Sequence, residues 1–324
     1  MIIVGYKSRP VLEKCLASIE KQTLQPDETI FVNNGCDNAS VSLIRERFSF
    51  VTVLDPGRNL GFAGGCNIAM ESVETGMVAL LNPDTEAEPG WLEEIVKAAD
   101  NHPDEIGAFA SRVHWAGDPT FLQSTGDSYS VVGTSLPIGF GDDPALHLEP
   151  GFVFGPAGCA AAFRTHAIRE AGLFDQDFFA YYDDADLSFR LNLLGYKCLY
   201  VPGAIVRHLG QYEWKGRESR IERLSQRNME WVYFRDMPLI LIFAFLPEKL
   251  FFEAVSLLRF AAKGDLELFL SAKIGALINA PKILRRRKKI QSERRISSME
   301  LLKRLDHRWI RSRLKYENAL SIMR

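Results

Sequence analysis

Apolar positions recur in two alternating rhythms through the first two thirds of the chain. Residues 2–4 (Ile-Ile-Val) begin as a strand. Val11, Leu12, Cys15, Leu16 and Ile19 then share one helical face after Pro10, a residue suited to a first helical turn. Residues 28–32 read as a strand after the turn residues Pro26 and Asp27. Residues 41–48 predict a short helix, 51–54 a strand, and 61–74 a helix rich in small residues. Residues 77–81 form a buried-type strand, a helix begins near Trp91, and 106–110 is the next strand. This order predicts an α/β fold, a mainly parallel sheet with helices on both faces.

Residues 112–150 break the rhythm. Gly, Pro, Asp and Ser dominate there, which predicts a long connection with little regular structure. A second α/β stretch comes next. It holds a strand at 158–163, a helix from Thr165 to near Gly172, a helix at 183–194, and strands at 197–201 and 205–207. Leu187, Leu191 and Leu194 keep helical spacing, and Gly195 suits the helix end. After Arg217 helical patterns prevail. The expected division is therefore 1–215, an α/β domain, and 216–324, a helical region.

The helical region carries a distinct charge pattern. Between Lys282 and Lys315 stand 14 Lys and Arg against Glu293, Glu300 and Asp306, while the whole chain is net −2. Residues 237–246 are strongly apolar, but Pro247, Glu248 and Lys249 stop the run. A spanning helix needs roughly 20 apolar residues. Two further apolar segments, 250–262 and 266–278, lead into Arg285-Arg286-Arg287-Lys288-Lys289. Apolar helices beside a basic cluster suit an amphipathic anchor lying on an anionic membrane. The competing reading is an ordinary packing domain with a solvated basic end. No nucleic-acid motif accompanies the basic residues, so no nucleic-acid partner is expected. Five scattered cysteines lack zinc spacing and suggest reduced thiols in a cytoplasmic setting. The chain enters a strand at once, so no secretory leader is expected.

Candidate chemistry concentrates at element ends. Asp183-Asp184-Ala185-Asp186 opens a helix behind the aromatic run Phe178-Phe179-Ala180-Tyr181-Tyr182. A helix start favours negative charge, but one cap accounts for one Asp and not three. Asn82-Pro83-Asp84-Thr85 comes directly after the strand at 77–81, where ligands of open α/β sheets bind. A carboxylate there can hold a divalent cation, although Asn-Pro-Asp is also a common turn. Asn33 ends another strand, where an amide can read a nucleobase edge or simply build a polar turn. The glycines of residues 61–67 open a helix without matching a dinucleotide fingerprint. His208 ends a strand downstream of the acidic cluster and is a possible metal ligand.

Taken together these residues resemble the family-2 inverting glycosyltransferases of the GT-A fold, closest to the rhamnosyltransferase and galactofuranosyltransferase branch. Asn59-Leu60-Gly61-Phe62-Ala63-Gly64-Gly65-Cys66-Asn67 matches that branch's Asn-x-Gly-Phe-Ala-Gly-Gly-x-Asn pattern. Leu81-Asn82-Pro83-Asp84-Thr85 stands where the family has Asp-x-Asp. Phe174-Asp175, Asp183-Asp184-Ala185-Asp186-Leu187 and Arg190 match its acidic block. Gly195-Tyr196-Lys197, Val201-Pro202-Gly203-Ala204 and His208 match the family's segment downstream of that block. The resemblance covers about residues 1–210.

The resemblance implies roles. Asp184 aligns with the catalytic base, and Asp84 and His208 with ligands of Mg²⁺ or Mn²⁺. Tyr6, Asn33, Asn59, Gly64, Asn67 and Asn82 fall among the nucleotide- and donor-binding positions. Asp183, Asp186 and Arg190 support the acidic cluster, and like charge from Asp183 and Asp186 is expected to raise the proton affinity of Asp184. Asn33 and Asn82 each replace a family Asp, Lys7 replaces a common Asn, and Cys36 a common Ser. The expected activity is inverting transfer of a sugar, L-rhamnose from dTDP-L-rhamnose as the best guess, from a nucleoside-diphosphate donor. The expected acceptor is a saccharide or lipid-linked saccharide in cell-surface polysaccharide synthesis, at the inner membrane surface. The alternative is an inactive module of the same fold that only binds nucleotide-sugar or glycan.

Overall fold

The structure is a computed structural model and describes residues 1–210 and 218–323. The expected boundary at 215/216 lies outside the described residues. β1 (Ile2–Gly5), α1 (Arg9–Glu20), β2 (Thr29–Asn33), α2 (Asn38–Arg47), β3 (Val51–Leu54), α3 (Gly61–Met70) and β4 (Met77–Leu81) keep to the apolar rhythm. β4, β1, β2 and β3 lie side by side and parallel, so their carboxyl ends share one sheet edge. α1 buries the expected stripe Val11, Leu12, Cys15, Leu16 and Ile19. The small residues of α3 have a packing cause. A Cβ on Gly65 would stand 2.6 Å from the Val4 side chain, so glycine lets the helix settle on β1.

The next part departs from a mainly parallel arrangement. It contains β5 (Thr85–Ala87), α4 (Trp91–Asp100), β6 (Ile106–Trp115), β7 (Asp118–Ser124), β8 (Asp127–Tyr129), β9 (Ser135–Pro137), β10 (Gly151–Val153), β11 (Ala160–Arg164), α5 (Thr165–Glu170), α6 (Asp183–Leu193) and β12 (Lys197–His208). The sheet order is β10-β12-β6-β11-β4-β1-β2-β3, with β5 on β12 and β7 on β6. β11 runs antiparallel to both β4 and β6, and β5, β7 and β10 are antiparallel to their partners. The sheet is therefore mixed. The turn between β6 and β7 is too short for a crossover, and only antiparallel strands can be joined that way.

Residues 112–150 are not a featureless connection. They hold the end of β6, then β7, β8 and β9, short strands whose Ser, Thr, Gly and Asp content hides their alternation. Residues 197–207 form the single β12 rather than two strands. Its register against β6 shifts between Val201 and Ile205, where Pro202 and Gly203 interrupt the ladder. Apolar side chains fill both sheet faces, with Leu12, Trp91 and Phe109 on one and Val4, Ala63 and Leu187 on the other.

The remaining helices are α7 (Glu218–Asp236), α8 (Leu239–Ala244), α9 (Leu246–Lys263), α10 (Leu266–Ile278), α11 (Ala280–Glu293), α12 (Ser298–Arg304) and α13 (Trp309–Met323). A third core joins Tyr129, Phe178 and Phe189 to Val232, Tyr233 and Leu301, so this region is packed onto α6. Buried charges reinforce the contact. Arg190 pairs with Asp186 at 2.6 Å, and Arg235 of α7 pairs with Asp186, with Asp236 at 2.8 Å, and with Asp175 at 2.6 Å. Part of the basic cluster turns inward too. Arg286 pairs with Asp175 and Asp177, and buried Arg287 donates to the carbonyls of Phe234 (2.8 Å) and Met237 (2.7 Å). Arg285, Lys288 and Lys289 stay exposed. Among the described residues no helix is long and apolar enough to cross a membrane.

Candidate active site

Strand pairing brings Asp84 to His208. β5 runs antiparallel to β12 with Thr85 opposite His208, so the preceding residue, Asp84, meets the ring. His208 Nε2 lies 3.3 Å from Asp84 Oδ1, and Nδ1 lies 2.8 Å from Gln123 Oε1. The amide oxygen accepts a hydrogen bond from Nδ1–H, which leaves Nε2 facing Asp84. Burial opposes charge on the ring, but Cys159 and Asp84 outweigh it and hold the His208 pKa well above its ordinary value.

The same cavity, of about 760 Å³, is also lined by Asn82, Asp127, Asp183 and Asp184. Asp184 sits in the first turn of α6, where its Oδ1 accepts from the Ala185 N–H at 2.7 Å. A Cβ on Gly158 would stand 2.6 Å from Asp184 Oδ2, so this glycine leaves the carboxylate its place. Burial raises the Asp184 pKa. Asp183 and Asp127 are pushed up to about 8, first by burial and then by the charge of Asp184. The source of the shift therefore differs from the expectation. Burial, not the charge of Asp183 or Asp186, raises Asp184, and Asp186 is turned away and neutralised by Arg190 and Arg235. Asp183 Oδ2 is buried without a hydrogen-bond partner among the described residues.

The approach to α6 is strained. Phe179, Tyr181 and Tyr182 take φ of 66°, 67° and 62°, a region costly for bulky residues. Buried Asn228 of α7 holds this segment, its Nδ2 donating to the carbonyls of Phe178 (3.1 Å), Ala180 (3.0 Å) and Tyr181 (2.7 Å). Gly61, at φ +73°, leaves room for the Phe179 carbonyl.

The other expected site residues lie apart from that cavity. Tyr6, Asn33 and Asn59 gather at the carboxyl ends of β1 to β3, where a Cβ on Gly35 would be 3.2 Å from the Tyr6 ring and 3.8 Å from Asn59 Cβ. Asn33 Oδ1 accepts from Cys36 N–H at 3.0 Å, and its Nδ2 donates to Asp55 Oδ2 at 2.8 Å. Asn59 Oδ1 accepts from Gly61 N–H at 2.8 Å. Asn67 ties α3 to Phe174 by two bonds of 2.7 and 3.1 Å. Gly64 is buried in α3 against Leu60. Sequence reasoning missed Asp127, Gln123, Asn228 and Asp55. Ser124-Thr125-Gly126-Asp127 reads as a turn, and only the antiparallel return of β7 exposes its position.

Asp84 and His208 suit a divalent cation. No group of three His, Cys, Asp or Glu forms a complete cage among the described residues. A carboxylate and an imidazole oriented by Gln123 nonetheless fit an ion that completes its shell with substrate phosphate and water.

Residues 1–233 match the family described as Glycosyltransferase like family 2. The chain is 25% identical over 258 residues to an N-acetylglucosaminyl-diphospho-decaprenol L-rhamnosyltransferase of Mycobacterium tuberculosis, covering 73% of this chain and 83% of that one. It is 26% identical over 110 residues to an amylovoran biosynthesis glycosyltransferase of Erwinia amylovora, covering 33% and 41%. Two solved structures share the fold. A mannosyltransferase of Pyrobaculum calidifontis in complex with GDP-Man and Mn²⁺ has TM-score 0.52 at 16% identity, over 94% of this chain and 85% of that one. GalNAc-T7 with UDP, GalNAc and Mn²⁺ has TM-score 0.57 at 15% identity, over 72% of this chain and 47% of that one. The arrangement is the GT-A α/β fold with a C-terminal helical region. The matched span runs from β1 into α7 and contains the Asp84–His208 pair and the acidic start of α6, and on that ground the chain belongs to glycosyltransferase family 2.

Proposed function

We propose that the protein is a metal-dependent, inverting glycosyltransferase that moves a sugar from a nucleoside diphosphate to a hydroxyl of a saccharide or lipid-linked saccharide. The convergence of the Asp84–His208 pair and Asp184 in one cavity carries this reading. Asp184 takes the proton of the acceptor hydroxyl. The freed oxygen bonds to the anomeric carbon as the bond to the diphosphate breaks, and the diphosphate leaves with the electron pair. Attack from the face opposite the leaving group inverts the centre. Asp84 and His208 hold Mg²⁺ or Mn²⁺, which when bound offsets charge on the departing diphosphate. Protonation of Asp183 and Asp127 near neutral pH limits repulsion around Asp184. Tyr6, Asn33 and Asn59 bind the base end of the donor, with Asp55 supplying the charge that Asn33 lacks. Asn67, Gly64 and Asn82 shape the path between base and metal.

The mycobacterial relative is by name an L-rhamnosyltransferase of a diphospho-decaprenol-linked sugar, which supports L-rhamnose as the sugar moved and a lipid-linked acceptor. The donor proposed is dTDP-L-rhamnose, in cell-surface polysaccharide synthesis. Residues 1–215 form the transferase domain and 216–324 its helical partner. That partner lies on the cytoplasmic face of the membrane without crossing it. Exposed Leu239, Ile240, Phe243, Leu258, Leu277 and Ile278 support this, Phe243 at 70% and Ile278 at 73% exposure. Arg285, Lys288 and Lys289 add charge that suits anionic lipid. Purified protein with Mn²⁺ and a panel of nucleotide-sugars tests the reading. Release of nucleotide from one donor supports it, and no release from any donor refutes it. Flotation with anionic vesicles tests the membrane face, and protein left at the bottom at low salt contradicts it.

A further inference from the structure

A second cavity, of about 620 Å³, abuts the catalytic one. Pro137, Phe140 and Tyr316 line both, so the two meet at these residues. The Phe140 and Tyr316 rings stand 4.7 Å apart and form the sill. α13 supplies that side of the wall. Its Lys315 pairs with Asp142 at 2.7 Å, and a Cβ on Gly141 would stand 2.5 Å from Ala319 Cβ.

Beyond the sill the lining changes character. Leu136, Ile138, Phe152 and Leu305 give it apolar surface. Lys197, Lys303, Arg304 and Lys315 give it cations, against the single lining carboxylate of Asp306. Lys197 and Lys315 share their charge with Glu105 and Asp142. Arg304 makes no direct ion pair among the described residues and donates to neutral acceptors, Asn192 Oδ1 at 2.9 Å and the Tyr196 carbonyl at 2.8 Å, although Glu300 and Glu105 are near enough to act on its charge. Lys303 is exposed on α12, at the open side of the cavity, and Arg304 beside it is half-buried. An apolar lining with an excess of cations selects an amphiphilic anion. A neutral saccharide would gain little from those charges. The donor's own diphosphate is accounted for by Asp84 and His208.

We propose that the second cavity is the anionic subsite of the acceptor. It holds the diphosphate and the first apolar units of a lipid-linked acceptor, while the acceptor sugar crosses the Phe140–Tyr316 sill to reach Asp184. The proposal rests on the transferase reading of the Asp184 site.

Binding of farnesyl diphosphate to the full chain, measured by calorimetry in EDTA, tests it. EDTA removes the cation that would draw a diphosphate to Asp84 and His208. Farnesyl diphosphate is expected to bind at least about tenfold more tightly than farnesol or inorganic diphosphate, since only it offers both charge and chain. Lys303→Glu is expected to weaken binding about five- to tenfold. Ser312→Trp places a large ring in the cavity without touching its charges and is expected to abolish binding. Circular dichroism checks both folds, and if one variant is unfolded the other decides. Equal binding of the three probes, or binding unchanged in the folded variants, overturns the proposal. Binding that behaves as expected in a protein that turns over no nucleotide-sugar would refute the transferase reading and leave the subsite standing.

Discussion

The Asn228 carboxamide of α7 donates to the Tyr181 carbonyl at 2.7 Å, two residues before α6 begins. The helical region thus reaches the strained segment that leads into the Asp184 cavity. Phe179, Tyr181 and Tyr182 take positive φ, and the carbonyls of this segment find an outside partner in Asn228.

Asn228→Leu keeps the size of the side chain and removes its donors. Three carbonyls then lose a partner, at a cost of about 1–3 kcal/mol of stability. Misplacement of Asp184 is expected to lower kcat by about 10- to 100-fold, with little change in donor affinity. Thermal melting and steady-state kinetics check the two effects separately. An unchanged kcat in the folded variant would show that the segment positions itself.

The metal pair makes a graded prediction. Asp84→Ala and His208→Ala are each expected to weaken metal-dependent nucleotide binding by at least about tenfold, and EDTA to stop turnover. Gln123→Leu leaves both ligands but frees the ring to rotate. A loss of about 10- to 100-fold in metal affinity is expected from it. Titration with Mn²⁺, read by paramagnetic resonance, orders the variants. Turnover unaffected by EDTA would rule out a role for the metal.

Asp127 and Asp183 predict how stability varies with pH. Both have folded pKa values raised from 3.8 to about 8, so the folded protein holds protons that the unfolded chain releases. Their contribution is fully present below pH 4 and is lost as pH rises toward 8. Asp127→Asn removes one such group. Its melting temperature is expected to exceed the parent's at pH 8 and to converge with it near pH 4. Two curves running parallel across that range would contradict the burial of charge in this cavity.

Legibility in the sequence divides along physical lines. Asp84, Asp184 and His208 each sit at the end of an element with clear apolar periodicity, so their neighbours announce them. Asp127, Gln123 and Asn228 do not. The first two lie on short polar strands without a legible rhythm, and Asn228 looks like any polar residue of a long helix. The direction of β11 was hidden for a similar reason. Ala160–Arg164 is an apolar run of the kind a parallel strand also shows, and only its long-range pairing to β4 and β6 reveals the reversal. The ends of the basic cluster were legible as charge, but the inward turn of Arg286 and Arg287 depends on acceptors far away in sequence.

The central claim is that Asp184 takes the acceptor proton in a sugar transfer. Replacement by Asn keeps the shape and the contact with Ala185 N–H but removes the base. The most direct measurement is acceptor-dependent nucleotide release by the parent and by Asp184→Asn, with nucleotide affinity determined alongside. A base at this position predicts a fall in kcat of about 10²- to 10⁴-fold at nearly unchanged nucleotide affinity. Release within a few-fold of the parent would contradict it.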